Sequence, residues 1–165
     1  MPEVYVAAGS NVRPRASLAR ALATLGAEFP GLQASRAYSN AAVGFDGDAF
    51  INLVVRFHSA LPLAALLERL KAVEREGGRE PGGPKWGPRT LDLDLLLYGS
   101  ESGRFPGATL PHPDIATRAW VLGPLAELAP ELRHPVLGET FGSLWRCFDQ
   151  RAHPLTPVSL EGGDG

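Results

Sequence analysis

The chain is short of several things that would settle its class at once. It has one cysteine, Cys147, in 165 residues. That excludes an intrachain disulfide and a cysteine-built zinc site. Its four histidines are scattered, with no His-x-x-x-His pair. No apolar run approaches the roughly 18 residues of a membrane-crossing helix. The opening Met1-Pro2-Glu3 has neither the basic nor the apolar region of a secretory signal. A soluble cytoplasmic protein is therefore expected. An excess of charge of one sign is missing too, since 16 Lys and Arg against 18 Asp and Glu leave a net −2. Such a chain lacks the field that drives non-specific nucleic-acid binding. Neither nucleic acid nor membrane is expected as a partner, and any phosphate must be held by residues placed for it.

What is present points to a folded domain. Hydrophobic residues make up 44% and charged residues 21%, near the globular average. Gly 19 and Pro 15 together are about a fifth of the chain, short of the roughly 25–30% that marks low complexity, so they are read as loops within a fold. The length fits one domain over residues 1–150. Residues 151–165, with Pro154, Pro157 and three glycines, are expected to be a flexible tail.

Val4-Tyr5-Val6-Ala7-Ala8 reads as a strand stopped by Gly9-Ser10-Asn11. Leu18, Ala21, Leu22 and Leu25 recur at helical spacing behind Pro14. Residues 32–39 form a weaker strand pattern, and residues 49–58 alternate as a third strand. Pro62 opens a helix striped by Leu63, Leu66, Leu67, Leu70 and Val73. Residues 91–98 read as a strand, and residues 115–129 as a helix interrupted near Pro124. The order is that of a split β-α-β, ferredoxin-like α+β fold. This predicts an antiparallel sheet with its helices on one face, the other face free to carry a site, and a helical C-terminal extension.

Two long loops, residues 39–49 and 76–90, are too rich in Gly and Pro to be plain connectors. The second leads into Asp92 and Asp94. Strand residues i and i+2 share a face, so both carboxylates point one way while Leu91, Leu93 and Leu95 point into the core. Two adjacent carboxylates repel unless a cation lies between them, and Mg²⁺ with substrate phosphates suits that donor set. For Asp-x-Asp alone, a strand with a wet face is the simpler reading. The upstream Arg79, Lys85, Trp86 and Arg89 turn the balance, because guanidinium groups suit phosphate oxygens. There is no P-loop, no Gly-x-Gly-x-x-Gly after a strand and no Gly-x-Ser-x-Gly elbow. Pro111-His112-Pro113-Asp114 is a constrained turn whose histidine can donate to a phosphate, or simply make the turn. Phe50 and Trp120 can sandwich a flat ring while Asn52 reads its edge, although core packing of both aromatics is the plainer reading. Lys71 and Glu74 read equally as a surface ion pair.

With these residues in view, the chain resembles the 6-hydroxymethyl-7,8-dihydropterin pyrophosphokinase family of folate biosynthesis. The resemblance rests on Gly9-Ser10-Asn11, on the run from Lys85 through Trp86, Arg89, Asp92 and Asp94 to Leu96, and on Leu110-Pro111-His112-Pro113-Asp114 continuing through Arg118 and Trp120 to Pro124-Leu125-Ala126-Glu127. It implies transfer of pyrophosphate from ATP to a pterin hydroxymethyl group, with AMP leaving. It implies two Mg²⁺ at Asp92 and Asp94. Catalytic roles fall on Arg79, Arg89, Asp92, Asp94 and His112. ATP contacts fall on Lys71, Glu74, Lys85, Trp86, Arg89, Thr109, His112 and Arg118. The pterin falls to Asn40, Val43, Gly44, Phe50, Asn52 and Trp120. A monomer acting on two small molecules is expected. Pro81 and Gly107 stand where relatives often carry cations, Asn40 and Ala41 replace a usual Thr-Pro, and Phe50 replaces a commoner tyrosine.

Rival readings come from other classes. Polymerase-beta-type nucleotidyltransferases also use Gly-Ser with a strand Asp-x-Asp, but there the motifs are near neighbours, whereas here Ser10 and Asp92 are 82 positions apart with several predicted elements between them. A non-catalytic or altered-specificity relative would fit the thinned basic loop. A pure interaction module would not need the aspartate pair.

Overall fold

A computed structural model describes residues 1–40, 50–78 and 91–161. In chain order the elements are β1 (Glu3–Ser10), α1 (Pro14–Glu28), β2 (Gln33–Ala34), β3 (Ala37–Asn40), β4 (Phe50–His58), α2 (Leu63–Gly78), β5 (Asp92–Tyr98), β6 (Gly103–Phe105), β7 (Ala108–Leu110), a 3₁₀ turn (Pro113–Ala116), α3 (Ala119–Leu128), α4 (Phe141–Cys147) and β8 (Thr156–Val158). The main sheet runs β5-β1-β4-β3-β8, with β2 also paired to β4. Every pairing in it is antiparallel. β6 and β7 form a separate hairpin.

Alternation along the strands builds two cores. Val4, Val6 and Ala8 of β1, Leu53, Val55 and Phe57 of β4, and Leu93 and Leu95 of β5 meet Leu18, Ala21 and Leu25 of α1 and Leu66, Leu70 and Val73 of α2. The helical stripes read from the sequence are thus the buried ones. Tyr5, Val54, Leu96 and Leu97 meet Ile115, Val121, Leu122, Leu125 and Phe141 in a second cluster. The two helices of the split β-α-β unit, α1 and α2, do cover one face, but the other face is not wholly free as expected, because α3 and α4 of the C-terminal extension pack over part of it. A register shift between Tyr5 and Val6 makes this possible. Tyr5 opposes Leu97 and Val6 opposes Leu95, so Leu96 is the extra residue of a bulge. One extra residue changes which face the strand presents, so Leu95, Leu96 and Leu97 can all be buried.

Three further boundaries differ from the sequence reading. The strand read over residues 32–39 is broken at Ser35, whose N–H donates to the Val54 carbonyl at 2.8 Å while its hydroxyl accepts from the Val54 N–H at 3.0 Å. The expected interruption near Pro124 is not there. The break comes earlier, between the 3₁₀ turn and α3, and α3 continues through Pro124. A helix-interior proline costs about 3 kcal/mol. Burial of Val121, Leu122 and Leu125, at about 1.5–3 kcal/mol each, outweighs it. Residues 156–158, expected in a loose tail, instead pair with β3, Ala37 opposite Val158 and Ser39 opposite Thr156. Arg15 Nε donates to the Ser159 carbonyl at 2.9 Å, and Leu160 packs on the first core.

His134 pins the loop before α4. Its Nδ1 accepts from the N–H groups of Val136 at 3.2 Å and Leu137 at 3.0 Å, and its ring meets Phe141 edge-on. Burial holds its pKa below the ordinary histidine value, because the charged ring loses its solvation.

Two outcomes follow for stability. Leu122→Ala, at a fully buried position, lowers the unfolding free energy by about 2–5 kcal/mol in a urea titration. Since the folded His134 has the lower pKa, its contribution is complete above pH ~6.5 and is lost as pH falls through the folded value. The wild-type Tm accordingly drops on acidification more than that of His134→Asn, and parallel profiles for the two proteins would count against this role.

Candidate functional site

Among the described residues β5 pairs only with β1, which makes it an edge strand. Its free edge is closed by the C-terminal half of α2, by β7 and by the 3₁₀ turn. A cleft of about 360 Å³ remains among them, lined by Lys71, Glu74, Asp92, Asp94, Thr109 and His112. These six were all singled out in the sequence, and the fold brings them together from four separate segments.

The alternation of β5 behaves as expected at its start. Leu91, Leu93 and Leu95 are buried, and Asp92 and Asp94 stand on the opposite face, half-buried and exposed. Glu74 is not simply a surface partner of Lys71. Its Oε2 accepts the Leu93 N–H at 3.2 Å, which ties α2 to the backbone between the two aspartates. Gly77 lets this approach happen, since a Cβ there would lie 2.9 Å from Leu91 Cδ2. Asp92 and Asp94 offer hard oxygen donors that fit Mg²⁺, whose remaining positions go to water or substrate oxygens. Among the described residues, no three acidic, histidine or cysteine side chains converge on one point.

His112 follows the Leu110–Pro111 peptide, and its own N–H donates to the Leu96 carbonyl at 3.0 Å. Its Nδ1 accepts from the Asp114 N–H at 3.1 Å. The neutral ring therefore carries its proton on Nε2, free to donate at the cleft. Gly107, at φ 88 between β6 and β7, occupies a left-handed turn position that favours glycine.

A second group of expected residues lies beside the first, along the same sheet face. Register places Tyr38 opposite Asn52, Asn52 opposite Gly9, and Gly9 opposite Asp92. The four form one row across four strands. Asn40 opposes Phe50 two rows further out, the next pair on the same face. Asn52 is 9% exposed, and its Nδ2 donates to Asn40 Oδ1 at 2.8 Å. Its Oδ1 lies over Gly9, where a Cβ would come within 2.5 Å. Glycine is required at position 9 for this reason, which no sequence pattern displays.

Phe50 is 36% exposed and, by alternation, on the Asn52 face. Trp120 packs on the second core, and the Arg118 guanidinium sits 5.4 Å from its ring centroid. Among the described residues, no ring stacks on Phe50 or Trp120. Val43, Gly44, Arg79, Lys85, Trp86 and Arg89 lie outside the described residues. A larger cleft of about 640 Å³ opens between β3, α3, α4 and the C-terminal segment. It holds none of the expected site residues. Its wall includes Tyr38 and Glu127, a pair the sequence reading passed over. Only the Pro-Leu-Ala-Glu run hinted at Glu127.

The sequence profile of the family described as "7,8-dihydro-6-hydroxymethylpterin-pyrophosphokinase (HPPK)" matches residues 5–130. The 2-amino-4-hydroxy-6-hydroxymethyldihydropteridine pyrophosphokinase of Pseudomonas aeruginosa is 41% identical over 136 residues, covering 80% of this chain and 83% of the relative. The protein of the same name from Aquifex aeolicus is 36% identical over 138 residues, covering 82% and 86%. A crystal structure of Plasmodium falciparum HPPK-DHPS superposes on 92% of this chain with a TM-score of 0.66 and 15% identity. That likeness concerns the fold alone, and this chain spans 44% of the longer protein.

The Gly9–Asn52 fit has a measurable signature. Gly9→Ala destabilises the wild type by about 1–3 kcal/mol through overpacking. The same change in an Asn52→Ala background is close to neutral, because the clashing oxygen is gone. Equal effects in the two backgrounds, measured by a double-mutant cycle, would disprove the contact.

Proposed function

The chain belongs to the 7,8-dihydro-6-hydroxymethylpterin-pyrophosphokinase family, and we propose that it transfers pyrophosphate from ATP to 6-hydroxymethyl-7,8-dihydropterin in folate biosynthesis. The hydroxymethyl oxygen attacks the β-phosphorus. The bond from that phosphorus to the bridging α-phosphate oxygen breaks, AMP leaves with the electron pair, and the hydroxyl proton passes to solvent. The observation that carries this reading is the convergence of Lys71, Asp92, Asp94, Thr109 and His112 in one cleft, continuous along one row with Gly9 and Asn52. We also read the order β5-β1-β4-β3 as a ferredoxin-like sheet.

In this reading the triphosphate lies in the β5 cleft. Asp92 and Asp94 hold Mg²⁺, two ions being expected, which when bound neutralise the phosphate oxygens and help align the displacement. His112 donates its Nε2 proton to a phosphate oxygen, and Lys71 and Thr109 add a charge and a hydroxyl. Glu74, assigned with Lys71 to the ATP contacts, also fixes the β5 backbone through Leu93. Arg118, with Arg79, Lys85, Trp86 and Arg89, completes the set of ATP contacts. The pterin lies toward Asn40, Phe50, Asn52 and Trp120, and Val43 and Gly44 are assigned to the same substrate. The Asn52 amide, oriented by Asn40, presents hydrogen-bonding groups to the ring edge. Holding acceptor and triphosphate side by side supplies much of the rate through positioning. A binding-only relative is not favoured, since the aspartate pair and His112 would then be without a task.

The test is the product. With ATP, Mg²⁺ and 6-hydroxymethyl-7,8-dihydropterin, the full chain yields AMP in step with a pterin diphosphate. ADP in place of AMP would mean single phosphoryl transfer and sink the proposal. Asp92→Asn and Asp94→Asn each lower kcat by about 10³-fold, equivalent to ~4 kcal/mol of transition-state stabilisation, with the fold retained by circular dichroism. Unchanged turnover in both variants would refute the metal assignment.

A further inference from the structure

We propose that Glu127 is a positioning residue for the pterin end of the site, acting through Tyr38. The inference rests on the pterin lying at Asn40, Asn52 and Trp120, as read above. One carboxylate joins two elements that each carry part of that subsite. Glu127 Oε2 accepts the backbone N–H of Arg36 at 2.8 Å, and its Oε1 accepts the Tyr38 hydroxyl. Both partners belong to the β3 segment, whereas Glu127 itself is on α3.

Each side of this link leads to the subsite. Tyr38 is the residue directly opposite Asn52. Two positions on, Asn40 accepts the Asn52 amide hydrogen bond. On the helix, Glu127 follows Trp120 by seven residues, two turns at 3.6 residues per turn, so both lie on one face. The second core docks α3 on the sheet, and the Glu127 carboxylate adds a polar tie between this helix and the strand that carries Asn40. β3 is short, with Tyr38, Ser39 and Asn40 paired to β4 and Ala37, Tyr38 and Ser39 paired to β8.

An ordinary surface ion pair does not account for the arrangement. The Arg36 side chain is 68% exposed, and its Nε lies 3.5 Å from Glu127 Oε1. Exposed pairs of that kind contribute little. Tyr38, by contrast, is 8% exposed, and its hydroxyl pKa is raised by burial first and by the Glu127 hydrogen bond second. The hydroxyl thus stays protonated and donating. A hydrogen bond to a charged acceptor is among the stronger ones, and here it is used between strand and helix.

The experiment measures pterin and ATP binding separately in the full chain. Tyr38→Phe removes one donor and keeps the ring. Glu127→Gln keeps an acceptor for Tyr38 but loses one for the Arg36 N–H. Each raises the Kd for 6-hydroxymethyl-7,8-dihydropterin about tenfold, the scale of one lost charge-assisted hydrogen bond. Kd for ATP and kcat at saturating pterin stay within about twofold of wild type. Arg36→Ala retains the backbone N–H but removes a guanidinium 5.5 Å from the Tyr38 ring centroid, and it raises the pterin Kd less than either of the other two variants. Unchanged pterin affinity in both Tyr38→Phe and Glu127→Gln would overturn the proposal. So would a parallel loss of ATP affinity, pterin affinity and Tm, which is what a merely structural tie would give. If the wild-type chain bound no pterin and formed no AMP, the functional reading beneath the proposal would fall first, and the two failures are told apart by that control.

Discussion

The register of β1 between β4 and β5 is the constraint on which the rest depends. β1 is paired along both edges, so its register decides which residues of three strands share a row. One row places Gly9 between Asn52 and Asp92. The bare α-carbon of Gly9 lets the Asn52 amide lie across the central strand, and the same row ends at the acidic edge. A slip of one residue would turn Asn52 and both aspartates into the core and bring Leu53 and Leu93 out. The hydrophobic pattern that fixes the core therefore also fixes the geometry of the site.

Local patterns in the sequence were enough for some features and not for others. Period-two alternation placed Asp92 and Asp94 on one face and Leu91, Leu93 and Leu95 on the other, because a strand's geometry is local. Helical spacing found the buried stripes of α1 and α2 for the same reason. The faces onto which the helices pack were not legible. Leu95-Leu96-Leu97 looks like a strand buried on both sides, and only pairing with β1 reveals the bulge that feeds a second core. Pro124 carries a strong local signal for a break, yet the burial around it is a tertiary effect that exceeds the proline penalty. For the site, residue chemistry singled out Asp92, Asp94 and His112 in the β5 cleft, and the family resemblance added Lys71, Glu74 and Thr109. It passed over Tyr38 and Glu127, because a tyrosine and a glutamate 89 positions apart in the chain acquire meaning only when strand and helix meet.

Structure and chemistry are divided between the two faces of the sheet. The face under α1 and α2 is apolar along the strands and carries no expected site residue from β1, β4 or β5. The opposite face changes character along its length, from Tyr5, Val54 and Leu97 beneath α3 to Asn52 and Asp92 beyond it. Polar groups at that far end keep contact with solvent or substrate, and so avoid the penalty of burying them unpaired. The site occupies the stretch of sheet that the second core leaves uncovered.

The short strand β8 has a bearing on self-association. An unpaired sheet margin is a template onto which another chain can add. Here one margin of the sheet is closed by α2 and the β6–β7 hairpin along β5, and the other ends in β8. The middle residue of β8 is Pro157, opposite Tyr38. Proline has no amide hydrogen to offer a newcomer, and the strand is three residues long. The C-terminal segment thus works as a terminator. It supplies the pairing that β3 needs on its outer side and then presents a border on which further strand growth has little to hold.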